Sequence, residues 1–204
     1  MKTTPTAPPH GLSRWTTLFL CLRSALAALA ILAAPGTMAE GAAPVSETKA
    51  KALFLANFVK YVEWPAEFLA ATNSPVVIGL VGTPALAEEL KAIARTTLVA
   101  GHPLTVKTIE PDGDAAGIHI LFIPASETKK SGALLARLQS SPSLTVGEED
   151  KFVPAGGMVA LVNRESRIRP QVNLAAVERA GLKLSSKLLA VSEVVRGLPA
   201  LSSR

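Results

Sequence analysis

Pro75-Val-Val-Ile-Gly-Leu-Val-Gly82 is a short apolar run, rich in β-branched residues and closed at each end by a breaker. It reads as a strand buried on both faces, as in a parallel sheet. The residues that follow turn it into a strand–helix unit. Thr83 is placed to cap a helix with Pro84 at its first position, where a missing N–H costs nothing. Leu86, Leu90 and Ile93 then form one apolar stripe. Gly101-His-Pro103 turns the chain into Leu104-Thr-Val-Lys-Thr-Ile109, an alternating second strand.

The same alternation extends towards the C-terminus. Beyond the Pro/Asp/Gly loop of residues 111–114 lies a third, buried strand, Ile118-His-Ile-Leu-Phe-Ile123. A helix is predicted over residues 126–139, with Leu134, Leu135 and Leu138 as its core face. Leu144-Thr-Val146 is a short strand. Met158-Val-Ala-Leu-Val162 and Arg167-Ile-Arg-Pro-Gln-Val172 flank Asn163-Arg-Glu-Ser166 as a hairpin. Pro170 demotes the second arm to an edge strand. Asn173 caps a helix over residues 174–180, Gly181 is its C′ residue, and a last helix carries Leu184, Leu188, Val191 and Val195. Upstream, Ala50, Phe54, Phe58 and Tyr61 make the apolar stripe of a helix that starts at Ser46. It should stop near Glu63-Trp64, because Pro65 disfavours the α region in the residue before it. Trp64-Pro65-Ala66-Glu67-Phe68 then reads as a turn leading into a short helical piece. The sum is an α/β fold: a three-layer sandwich around a mostly parallel sheet, with an antiparallel hairpin at one edge.

The N-terminus speaks to location. Lys2, Arg14 and Arg23 are the only charges before Glu40, and an apolar run of 11 residues, 24–34, precedes Pro35-Gly36 and the small exit Thr37-Met38-Ala39. That is the pattern of a secretory signal peptide cleaved near Ala39. The run is short of the ~20 residues that span a bilayer. A competing reading, an uncleaved anchor over residues 15–34, places Arg23 mid-span at a cost of about 2.5–3.5 kcal/mol. Cys21 precedes the apolar run instead of following it, which argues against lipidation. The expected organisation is therefore a leader over 1–39, a flexible mature N-terminus over 40–48, one α/β domain over 49–197 and a tail over 198–204, with export to the periplasm.

Removal of the leader takes away three of the 21 basic residues and none of the 16 acidic ones, leaving 18 against 16 and a net charge of +2. The remaining basic residues are scattered, with no footprint for nucleic acid. The mature part has no cysteine, which removes thiol catalysis and thiolate metal sites. Its two histidines, His102 and His119, lack metal spacing; His119, inside a buried strand, reads as structural. Gly79-Leu-Val-Gly82 lacks the third Gly of a dinucleotide fingerprint and the Lys-Ser/Thr of a P-loop, so it is a turn. Ser185-Ser186-Lys187 has no strained nucleophile turn, and Glu148-Glu149-Asp150 has no second carboxylate cluster to complete a cation cage. No catalytic set, metal site or cofactor is expected, and the chain reads as a non-enzyme. Arg167, Arg169, Gln171 and Asn173 alternate along one strand and share a face. They are the candidate site for an anion or a polar partner. The bland alternative is a solvated row that blunts a sheet edge.

The helix Lys51-Ala-Leu-Phe-Leu-Ala-Asn-Phe-Val-Lys-Tyr-Val-Glu-Trp-Pro65 resembles the opening helix of the YfiR/HmsC-like family (DUF4154), whose signature is Phe-x-x-[Phe/Tyr]-Val-x-Trp-Pro. Later blocks agree in order: Ile118-His-Ile-Leu-Phe-Ile123, Gly156-Gly-Met-Val159, Asn173-Leu-Ala-Ala176, and Ala180-Gly-Leu-Lys-Leu-Ser-Ser-Lys-Leu-Leu189. Phe58, Trp64, Pro65, Gly156 and Gly157 are the signature residues, and Phe58 and Trp64 are expected to pack against the sheet and fix how the first helix docks. The resemblance implies a periplasmic, non-enzymatic regulator that dimerises. It would bind the periplasmic sensory domain of an inner-membrane diguanylate cyclase and hold it inactive, lowering cyclic di-GMP and biofilm formation. Two departures stand out. The cysteine pairs of well-studied members are missing, and Pro170 stands where the family commonly has an aromatic, which bears on any ligand contact inferred for Arg169 and Gln171. The competing function is a periplasmic small-solute-binding module serving a sensor kinase or transporter, which needs a deep pocket with convergent polar groups. A hydrolase lacks its catalytic set.

Overall fold

The computed structural model describes residues 46–69, 73–165 and 167–195. The leader read over 1–39, residues 40–45 of the N-terminal arm and the tail over 198–204 lie outside them. In chain order the elements are α1 (Glu47–Phe58), β1 (Val62–Glu63), β2 (Val76–Val81), α2 (Pro84–Thr96), β3 (Leu104–Ile109), β4 (Ile120–Phe122), α3 (Gly132–Leu138), β5 (Leu144–Gly147), β6 (Val159–Arg164), β7 (Arg167–Asn173), α4 (Leu174–Arg179), β8 (Lys183–Leu184), α5 (Ser186–Ala190) and β9 (Glu193–Val195).

Seven strands form one sheet in the order β3-β2-β4-β5-β6-β7-β9. All neighbours are parallel except the β6–β7 hairpin. One core packs α1, α2, α4 and α5 on one face, through Leu55, Phe58, Leu90, Ala176 and Leu188 against Ile78, Phe122, Leu161 and Val172. A second core packs α3 and the turn carrying Phe152 on the other face, through Leu134, Leu138 and Phe152 against Leu121 and Val162. The molecule is thus the three-layer α/β sandwich that the strand–helix alternation predicts. Phe152, wholly buried, is held between two glycines: a Cβ at Gly147 or at Gly157 would lie 2.2 Å from its ring.

Five local expectations need correction. The first helix ends at Phe58, not near Glu63-Trp64. The N–H groups of Lys60 and Tyr61 close turns onto Asn57 and Phe58 at 2.9 Å, and Val62–Glu63 then pairs antiparallel with β8. The helix predicted over 126–139 is confined to Gly132–Leu138, because the residues before it form successive i,i+3 turns (Glu127 N–H to Pro124, Lys130 N–H to Glu127). The last predicted helix is three elements. Leu184 is taken by the ribbon with β1 and Val195 by a strand beside β7, leaving five helical residues capped by the Ser185 hydroxyl. Finally, Pro170 sits in an edge only in part. β9 covers β7 along Gln171–Asn173, and Arg167 to Pro170 continues past it. Asn163 and Arg164 belong to β6, so the hairpin connection is shorter than the predicted loop.

Candidate functional site

Doubly wound sheets bind ligands where the crossovers diverge, outside the carboxyl ends of the strands. Here the β2–α2–β3 crossover lies on one face and β4–α3–β5 on the other, so the switch point is between β2 and β4. A cavity of about 330 Å³ sits there, lined among others by Thr83, Phe122, Lys51 and Glu148. Two of its lining side chains are paired. Lys51 Nζ lies 2.7 Å from Glu47 and also pairs with Glu148, and Glu148 accepts the Ala125 N–H at 3.0 Å. Burial opposes the Lys51 charge, but hydrogen bonds to Glu148 and Glu47 outweigh it and leave the ammonium pKa above the ordinary lysine value. Lys51 in turn holds the Glu47 carboxyl below its usual range. The Thr83 hydroxyl is buried without a partner, and it does not cap α2 as its position suggested.

The row on β7 is divided. Arg167 and Arg169 are exposed. Gln171 is 9% exposed and donates its amide to Glu193 at 3.0 Å and to Asp150 at 3.4 Å. Asn173 is buried, and its Oδ1 accepts the Ala176 N–H at 3.1 Å, so it is consumed as the cap of α4. Arg164, cross-strand from Arg167, forks onto both oxygens of Asp150. Arg164 and Arg169 line a pocket of about 320 Å³ with Ala190, Val191, Ser192 and Glu193.

Val191 also belongs to a larger groove between α1 and α5, about 530 Å³, lined by Ala50, Leu53, Phe54, Phe58, Tyr61 and Leu188 with Asn57 and Lys187. The stripe Ala50, Phe54, Phe58, Tyr61 therefore faces this groove. The core face of α1 is Ala52, Leu55, Ala56 and Phe58, the last forming the floor where the two meet. Leu53 (40% exposed), Leu98 and Val191 (61%) are the exposed large hydrophobics among the described residues, and two of the three line the groove.

His119 is 6% exposed. Its Nδ1 accepts the Val77 N–H at 3.1 Å, so the proton resides on Nε2, which donates to the Phe68 carbonyl at 3.2 Å. Trp64 meets the ring edge-on at 5.9 Å between centroids and Phe68 at 4.9 Å. Burial pushes the imidazole pKa below its ordinary value; the Phe68 carbonyl opposes this and His102 adds to it. The ring is a structural tie between β4 and residues 64–68.

Sequence reasoning missed the partners of the acidic run. Glu148 pairs with Lys51 and Asp150 with Arg164, across 97 and 14 residues. It also missed Val191, placed in a helix interior. Its polar successors Ser192 and Glu193 were the available signal. Among the described residues no three His, Cys, Asp or Glu side chains converge as metal ligands, and no helix is long and apolar enough to cross a membrane. No curated protein matches the chain. A family model described as YfiR/HmsC-like (DUF4154) matches residues 48–193.

Proposed function

The chain belongs to the YfiR/HmsC-like family, and on that premise we propose that it is a periplasmic, non-catalytic regulator. It binds the periplasmic sensory domain of an inner-membrane signalling protein, a diguanylate cyclase, and represses it. Cyclic di-GMP and biofilm formation fall as a result. Export by the leader, with cleavage near Ala39, brings it to that partner, and the working form is a homodimer.

The observation that supports a binding role is the continuous surface of α1, α5 and the β7 edge. An apolar groove runs through Val191 into a pocket bearing Arg164 and Arg169. Exposed apolar area rimmed by charge is what protein partners use. Within the row on β7, Arg169 and Arg167 are the residues available to a carboxylate of the partner or to an anionic ligand. Gln171 is occupied by the acids Asp150 and Glu193, and Asn173 has no part beyond its cap.

The small-solute reading has one observation in its favour, the switch-point cavity with its unpartnered Thr83 hydroxyl. However, Lys51 and Glu148 in its lining are already paired with each other.

The test is genetic. Deleting the gene in its native host raises cyclic di-GMP. The full chain restores the low level, and a version lacking residues 1–39 does not. Unchanged cyclic di-GMP after deletion refutes the regulator reading and returns the solute-binding one.

A further inference from the structure

We propose that the groove between α1 and α5 receives an amphipathic helix whose apolar face is flanked by carboxylates. This rests on the regulator reading and names the chemistry of the partner segment.

The shape comes first. The groove is concave, lies between two helices and is floored by Phe58 and Leu188. The helical part of the stripe, Ala50 to Phe58, runs roughly 12 Å at 1.5 Å per residue, about two turns of a docked helix, and Tyr61 in the turn beyond extends the wall. Grooves of this kind take the i, i+3, i+4, i+7 face of a helix. A strand would leave its backbone groups unpaired here, since the walls offer side chains and no free ladder.

Charge then selects among occupants. On α1, Lys51 is shared between Glu47 and Glu148, and none of these three lines the groove. That leaves Lys49, with exposed Lys60 in the turn that follows. On α5 the one charged residue is Lys187, which lines the groove. Among the described residues none of these three lysines enters a salt bridge. The pocket that continues past Val191 adds Arg169, together with Glu193, whose carboxylate accepts the Gln171 amide. Outside that cluster the charges on the two helices are positive. A second copy of the same face would set lysine against lysine, so homodimerisation uses another surface. A lipid bilayer is flat and would bridge the rim without filling the floor. A helix with Leu or Phe side chains in the groove and Glu or Asp along its flanks satisfies both the apolar walls and the cationic rim.

The experiment uses the exported full chain and two 18-residue helical peptides. They share one Leu/Phe face; one carries Glu and the other Lys on its polar face. Binding is read by fluorescence anisotropy. The expected result is at least tenfold tighter binding of the Glu peptide, weakened in 0.5 M salt as charge contacts are screened. Leu53→Glu, on an exposed position, abolishes it, and Lys187→Glu weakens it at least tenfold; circular dichroism verifies that both variants fold.

Equal affinity for the two peptides, no binding of either, or binding unchanged in both variants overturns the proposal. Binding to phosphatidylglycerol vesicles without peptide preference overturns it in favour of a lipid surface. Self-association lost in Leu53→Glu overturns it in favour of a homotypic face. Cyclic di-GMP separates this failure from that of the regulator reading. If deletion raises it but both variants still repress, the groove is wrong and the reading stands. If deletion changes nothing, the reading itself falls.

Discussion

Gly157→Ala tests the packing that holds the acidic loop in place. The new methyl would lie 2.2 Å from Phe152 Cε1 and 2.3 Å from Cδ1, well inside van der Waals contact. The ring has little room to retreat, because it packs as closely on Gly147, where an ideal Cβ would also lie 2.2 Å away. Backbone or ring must shift by about 1 Å. Overpacking of this kind costs about 1–3 kcal/mol. At about 2–4 °C per kcal/mol for a domain of this size, Tm falls by about 2–12 °C. The double variant Gly157→Ala with Phe152→Leu distinguishes the cause. Phe152→Leu alone opens a cavity and destabilises, but in the double the methyl enters that space. The two costs then fail to add, by at least 0.5 kcal/mol. Thermal and urea unfolding of the four proteins gives the cycle. Additive losses, or a Gly157→Ala variant melting within 1 °C of the parent by this ~2 °C criterion, would refute the reasoning.

Two further outcomes follow from the buried polar groups. The folded pKa of His119 lies below 6.5, its ordinary value, so the unfolded chain binds the proton more readily. The contribution of the neutral ring is full above pH 6.5 and is lost as pH falls from there towards the folded pKa. Tm plotted against pH should therefore fall more steeply below pH 6.5 for the parent than for His119→Gln. A pH-independent difference, or a ring that titrates by NMR at or above 6.5, counts against this. Asn173→Ala removes the cap of α4 and orphans the buried Ala176 N–H, which should cost about 1 kcal/mol in urea unfolding. Asn173→Asp, which can still cap, should lose much less; equal losses would show that the cap is not the cause.

The parts of the fold legible in the sequence are those in which local pattern and tertiary burial ask for the same thing. β2 is buried on both faces, and its Val/Ile content says so. Pro84, Asn173 and Gly181 mark ends that only backbone chemistry decides, and each occupies the predicted place. Failures occur where pairing partners are remote. Leu184 and Val195 keep helical spacing with Leu188 and Val191, yet they pair in ladders with β1 and β7, strands remote in the chain. The stripe on α1 was visible, but an amphipathic pattern does not tell which apolar face meets the sheet. Small Ala52 and Ala56 permit close approach to the sheet, and that leaves the bulky Phe54 and Tyr61 for the groove. In the arginine row, shared strand parity placed four residues on one face; nothing local could show that Asp150 and Glu193 would arrive to occupy Gln171.

The signature residues and the groove are connected through a ribbon that is easy to overlook. β1 and β8 have two residues each, Val62 opposite Leu184 and Glu63 opposite Lys183, and the Ser185 N–H extends the ladder to the Tyr61 carbonyl at 2.8 Å. Pro65 closes the ribbon by packing over Gly181, whose positive φ of 73° also ends α4. Trp64, next in line, leans on His119 and so ties the ribbon to β4. These contacts fix the end of α1 relative to the start of α5, two helices more than 120 residues apart in the chain. The groove exists because they are held side by side. Trp64 and Pro65 thus bear on the proposed partner surface indirectly, by setting the width of the groove, while Phe58 forms its floor and Leu53, Lys187 and Val191, outside the aromatic signature, line it. Recognition can then vary through rim residues that contribute little to stability, on a frame whose packing leaves little room for change.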